Sequence, residues 1–254
     1  MKIVFLTLAI AMLLAPSLGY ARLDEALVLY YPFDEVKVDA VKDASPNKND
    51  GVIKGTAKLV DGKFDKAIDL PSASFVEMQA SDTLTGDLFK DGAFTIYAWI
   101  NPSFAGSTWE HIWRSLPGPP KGHNTFFLNL DGRLSWRASV GGTWTVLCET
   151  APGLVPKGEW TNVVVLGDTK NFKIFVNGKE AMKCEYKKTD GGNATYHFGG
   201  EGGESYAGAI DEAAVFSRAL SEDEINKYLG GIKAAAVVPK GKLTAIWGTL
   251  KTGF

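Results

Sequence analysis

Apolar and polar residues alternate in short runs along most of this chain, and each run ends at Gly, Asn, Asp or Pro. A period of two puts successive side chains on opposite faces of an extended segment, so such runs predict half-buried strands. The pattern places strands at residues 27–33, 67–69, 75–78, 94–100, 126–130, 134–140, 143–148, 160–166, 172–176, 179–186 and 209–216. Many short strands punctuated by turn residues predict a sandwich or barrel. Asp131-Gly132 and Asn177-Gly178 each separate two such runs, and both predict two-residue hairpin turns that need positive φ at their central positions. Residues 104–124 read as a long loop stiffened by Pro117-Gly118-Pro119-Pro120, and residues 191–203 as a Gly-rich loop at a sheet edge.

The pattern changes period once. Ser221 stands three residues before Glu224, a capping box, and Ile225, Tyr228 and Leu229 follow as an apolar stripe that ends at Gly230-Gly231. One short helix is expected there, lying on the strands, since so short a helix is unstable alone. At the other end, Lys2, an apolar run over 3–15, Pro16 and the small residues Gly19 and Ala21 form a secretory leader over 1–21. The run is too short for a membrane anchor. The expected organisation is a leader at 1–21, one all-β domain at 22–231 and a tail at 232–254.

Composition narrows the function classes. The net charge is −2 and basic residues are scattered, so no basic stripe marks a nucleic-acid interface. Two cysteines, Cys148 and Cys184, in an exported chain predict a disulfide; two buried thiols in a β-core are the alternative. Asn193-Ala194-Thr195 matches a glycosylation sequon, but the leader has a bacterial look and the triplet is set aside.

An ordered series of segments carries a resemblance. It runs through Leu29-Tyr30-Tyr31-Pro32-Phe33, then Asp43-Ala44-Ser45-Pro46-Asn47-Lys48-Asn49-Asp50-Gly51, then Phe94-Thr95-Ile96-Tyr97-Ala98-Trp99. Glu159-Trp160-Thr161-Asn162-Val163, Lys173-Ile174-Phe175-Val176-Asn177-Gly178 and Ile210-Asp211-Glu212 with its following helix complete it. In this order the segments resemble the laminin-G-like jelly rolls of the concanavalin A-like lectin/glucanase superfamily. The resemblance implies an antiparallel two-sheet jelly-roll sandwich with adjacent terminal strands and one short C-terminal helix. It also implies that the 43–50 loop lies near Asp211. The chain departs from the pattern at Pro71-Ser72-Ala73-Ser74, where relatives often carry an acid.

Three chemistries were weighed. The superfamily's glucanases use a Glu-x-Asp-x-x-Glu strand, and that spacing is missing here. Glu222, Asp223 and Glu224 fall in the first turn of the helix, where acids favour the dipole, so no catalytic residue is expected. Calcium takes oxygen ligands, and Asp34, Asp43, Asn49 and Asp211 are its candidate set, although Asx-rich loops also close ordinary turns. Trp109, Trp113, Trp136 and Trp144 cluster around a stretch that also has His111, Arg114, Asn129 and Arg137. Trp109, His111, Trp136 and Trp144 are the candidate ligand-binding residues, with one or two of the four Trp rings expected exposed and Trp99 and Trp160 expected in the core. The sequence therefore predicts a non-catalytic exported module that binds a glycan, with calcium as its candidate cofactor. A structural or adhesive domain binding an extracellular protein is the alternative, and a glycoside hydrolase comes third.

Overall fold

The computed structural model describes residues 24–37, 39–106, 108–116, 123–192 and 195–233. The leader, Pro117 to Pro120, Asn193 and Ala194 of the sequon, and most of the 232–254 tail lie outside the described residues. Two eight-stranded antiparallel sheets face one another. Sheet A runs β14 (Lys179–Glu185), β13 (Asn171–Val176), β12 (Thr161–Asp168), β7 (Ala93–Pro102), β16 (Gly208–Phe216), β5 (Lys66–Leu70) and β4 (Lys58–Asp61), with β1 (Leu27–Tyr31) also on β16. Sheet B runs β11 (Thr143–Glu149), β10 (Leu134–Val140), β9 (Asn124–Asn129), β8 (Trp109–Leu116), β15 (Thr195–Gly199), β6 (Phe75–Met78), β3 (Gly51–Lys54) and β2 (Ala40–Val41).

Strand alternation sorts the side chains into layers. Phe94, Ile96, Ala98 and Ile100 of β7 enter the core between the sheets with Trp113, Phe126, Leu128, Trp136 and Phe198 of sheet B. Tyr97 and Trp99 of the same strand point the other way and join Val164, Leu166, Phe216, Leu220 and Ile225 in a second apolar layer. That layer lies beneath the helix α2 (Glu222–Tyr228), whose capping box forms as predicted and whose Ile225 is buried. The middle of the outer face of sheet A is thus covered by a helix.

Strand β16 has one neighbour on its first edge and two on its second. It pairs with β7 throughout, with β5 at Gly208 to Ile210 and with β1 at Ala213 to Phe216. The exchange of neighbours falls at a bulge, where Asp211 faces Trp99, Ala214 faces Tyr97, and Glu212 takes φ 51°. A left-handed non-glycine residue costs about 1–3 kcal/mol and persists only where its surroundings hold it. Here Asp211 accepts from the backbone N–H of Phe64 and of Glu212, at 2.9 and 2.7 Å, and Glu212 accepts from Tyr30 Oη and from Ile232 N–H.

Several expectations are revised. The 104–124 loop contains β8, and the 191–203 loop contains β15, an interior strand of sheet B. In β8 the polar residues Glu110, His111 and Arg114 and a bulge at Ile112 hide the alternation. A four-residue helix α1 (Asp87–Lys90) and one 3₁₀ turn at Gly202–Glu204 join the helix at the C-terminal end of the domain. Asn177 and Gly178, at φ 49° and 79°, make the predicted hairpin turn between β13 and β14. Asp131-Gly132 does not: residues 130–133 form the connection, and of the pair only Gly132 has positive φ.

Cys148 and Cys184 form a disulfide with Cα atoms 5.5 Å apart, joining β11 at the edge of sheet B to β14 at the edge of sheet A. The bridge closes a separation of 36 residues, for which chain entropy gives about 3–4 kcal/mol. Replacing both cysteines by serine is expected to lower the unfolding free energy by about that amount in urea titration, with a somewhat higher m-value because the unbridged unfolded chain exposes more surface, and an unchanged midpoint would contradict it.

Candidate functional site

Helix α2 covers the middle of the outer face of sheet A, and among the described residues no α-helix lies on the outer face of sheet B. Two bulges shape it. In β8, His111 faces Phe127 and Trp113 faces Phe126, so Ile112 is the extra residue. Trp109 and His111 therefore point outward before the bulge and Arg114 after it, while Ile112 and Trp113 fill the core. In β10 and β11, Trp136 faces Cys148 and Arg137 faces Val146, which sets Val146 beside Arg137 on the surface.

The centre of this face is an aromatic platform. Trp109 is 40% exposed, and its ring stacks on buried Phe127 at 6.1 Å between centroids. The Arg137 guanidinium lies 4.7 Å from the Trp109 ring centre and 4.6 Å from that of Phe127. His111 meets the edge of Phe127 at 5.7 Å. On one side His123 sits edge-on against Trp144 at 4.3 Å and bonds Thr125 Oγ1. On the other, His197 stacks on Phe75 at 4.2 Å, next to Arg114, which pairs with Glu204 at 3.4 Å.

All three histidines of the chain thus share one face. Burial pushes each below its usual value, His123 to about 4, so the imidazoles are neutral at pH 7. Among the described residues, His111 Nδ1, His123 Nδ1, both ring nitrogens of His197, Arg114 Nε and Arg137 Nε are buried without a hydrogen-bond partner. Buried polar atoms are nearly always satisfied in folded proteins, so a concentration of unsatisfied nitrogens on one face marks a place where a polar molecule fits.

The predicted binding residues divide. Trp109, His111 and Trp144 meet on this face. Trp136 does not: its ring is fully buried between Phe94, Phe172 and Phe89, because its inward step along β10 points it into the sandwich. Asn129 is on the face, but bonds Ser135, which donates to Glu149. Trp99 is in the second apolar layer as expected, and Trp160 is only partly buried against it. Phe127, His123, His197 and Phe75 were missed. The alternation Thr125-Phe127-Asn129 against Phe126-Leu128 was the available signal for Phe127.

The proposed calcium set does not converge. Asp43 accepts from the backbone N–H groups of Tyr30, Ser45 and Asn49 and from Ser45 Oγ, closing its own loop onto β1. Asn49 donates to Val28 O and accepts from Ser81. Asp211 serves the bulge in β16, and Asp34 pairs with Lys233 at 2.6 Å. Their oxygens are committed to donors of the chain itself, and no group of three acidic, His or Cys residues able to hold a metal occurs among the described residues.

Glu110 lies beneath the platform strand, fully buried, with Oε1 accepting from Gly106 N–H and Oε2 unpartnered. Burial raises its carboxyl to about 7, and the backbone N–H groups of Gly106 and Ala207 only partly offset that.

A family model for the concanavalin A-like lectin/glucanases superfamily matches residues 77–226. The chain belongs to that superfamily. Among solved structures it is similar to the binding domain of Paraclostridial Mosquitocidal Protein 1, at TM-score 0.64 and 21% identity. That match covers 79% of this chain and 51% of the other, so this chain spans about half its length. It is also similar to domain 4 of AbnA, an extracellular GH43 arabinanase from Geobacillus stearothermophilus solved with arabinotriose. There the TM-score is 0.61 and the identity 21%, over 79% of this chain and 96% of that domain. At these identities the likeness is one of fold. No curated protein sequence matches the chain.

Two outcomes follow. A folded-state pKa raised to about 7 costs stability as pH rises from the unfolded value toward it, since the unfolded carboxyl ionises more readily. Glu110→Gln is therefore expected to gain stability relative to wild type between pH 5 and 7, by up to about 1.4 kcal/mol per pH unit. A pH-independent difference in urea titrations would contradict it. The melting temperature is expected to be the same in excess calcium and in chelator, because a ion bound by the native state would raise it.

Proposed function

We propose that this chain is a non-catalytic, exported binding module that takes a saccharide on the outer face of sheet B. The observation that carries this reading is the half-exposed Trp109 ring lying on Phe127, ringed by unpartnered imidazole and guanidinium nitrogens. A sugar has an apolar C–H face and a hydroxyl edge, and this site offers a flat ring for one and buried nitrogens for the other. A protein partner would be favoured by a broad apolar patch. Of the exposed large apolar side chains, Val146 sits beside Arg137 on this face and Val52 at its far edge on β3, while Leu59 is on sheet A and Leu130 in the connection after β9, so they form no broad patch.

The carboxylates support a binding role. Glu149 is paired with Arg133 and Glu204 with Arg114, while Asp211 and Glu212 are spent on the bulge in β16. The arabinanase domain with its bound arabinotriose agrees with a saccharide ligand by analogy of fold. Export is supported by the formed Cys148–Cys184 bridge, since such bonds persist in oxidising compartments.

The test is a glycan array followed by titration of the strongest binder. Trp109→Ala is expected to weaken binding roughly tenfold or more, as loss of a central aromatic anchor does, at near-unchanged melting temperature. Binding that survives this change intact would place the ligand elsewhere.

A further inference from the structure

Among the described residues, the cations of the outer face of sheet B are paired with carboxylates, with one exception. Arg133 bonds Asp131 and Glu149, Arg114 pairs with Glu204, and Lys54 lies 3.6 Å from Glu77. Among the described residues, Arg137 has no carboxylate within ion-pair distance. Glu149 and Glu204, whose charges it feels at longer range, already hold other cations. Its guanidinium is instead stacked on Trp109 and Phe127, and its Nε is buried with no acceptor.

That arrangement is selective. Stacking fixes the guanidinium plane and leaves its N–H edge for an acceptor in the same plane. The acceptor that matches this edge in shape and charge is a carboxylate, which takes two parallel N–H bonds. A neutral sugar would leave a partly desolvated charge without a counter-ion, which is unfavourable. Resting on the saccharide reading of this face, we infer that the bound saccharide is acidic and that its carboxylate docks on Arg137 while its ring lies against Trp109. The neutral histidines around the platform contact its hydroxyls without competing for the carboxylate.

The experiment compares acidic glycans, both uronate- and sialate-bearing, with neutral ones on one array. The tightest acidic binder is then titrated beside its methyl ester. The expected result is that bound glycans carry a carboxylate, that affinity falls with added salt, and that esterification weakens binding roughly tenfold or more. Arg137→Gln should produce the same loss for the acid and little change for the ester. Arg137→Lys, which keeps charge without the planar fork, should fall between and guards against a variant that fails to fold. Whichever acid class binds identifies the source of the carboxylate. Neutral binders only, or an equal loss on acid and ester, would overturn acid recognition and leave the saccharide reading standing. An array with no bound glycan would remove both.

Discussion

Sheet A depends on one backbone irregularity. Strand β16 must pair with β5 at its start and β1 at its end, and it changes partner at the left-handed Glu212. Two buried carboxylates hold that step in place. Asp211 binds the turn before β5, and Glu212 binds Tyr30 in β1 and the backbone of Ile232 after α2. These contacts bring both ends of the described domain to one point, and they explain why two acids tolerate burial. Once β16 is fixed, Tyr97, Trp99 and Phe216 present an outward apolar layer, and α2 has a surface to cover.

Helix α2 covers the middle of one outer face and leaves the outer face of sheet B as the candidate for binding. The core between the sheets is filled by large aromatic side chains from both. The outer face of sheet B gains its character from bulges, which break the pairing pattern locally and turn side chains. Were Ile112 held in register instead of bulged, Arg114 would turn to the opposite face from Trp109 and His111, which pair with Asn129 and Phe127. The candidate face thus joins its two halves through one irregularity in an otherwise regular sandwich.

Much of the fold was legible because alternation, the Asn177-Gly178 turn and the Ser221 to Glu224 capping box are local signals. Strand β8 was lost in an expected loop since its bulge shifts the period midway, and β15 was lost among glycines. The site was legible only in part. Trp109, His111 and Trp144 were found by proximity in sequence, and Trp136 was included by the same rule although its register faces inward. His123 and His197 come from strands that sequence separation does not connect. The Asp43 to Asp50 loop was open to two readings, because a turn that satisfies its own backbone uses the same residues as an oxygen-lined ion site.

The neutral state of the three histidines has a chemical consequence. A protonated imidazole only donates, whereas a neutral one holds one donor and one acceptor, and which nitrogen has the hydrogen is free to change. His197, with Nε2 3.7 Å from the Glu77 carboxylate and Nδ1 without a hydrogen-bond partner, is able to meet a hydroxyl group in either sense at Nδ1. Under the proposed saccharide reading, recognition on this face would divide into two grammars. The fixed guanidinium of Arg137 would take one kind of group at one place, and the imidazoles would accept variation in the orientation of hydroxyls around it, so that related sugars would share a single anchoring point.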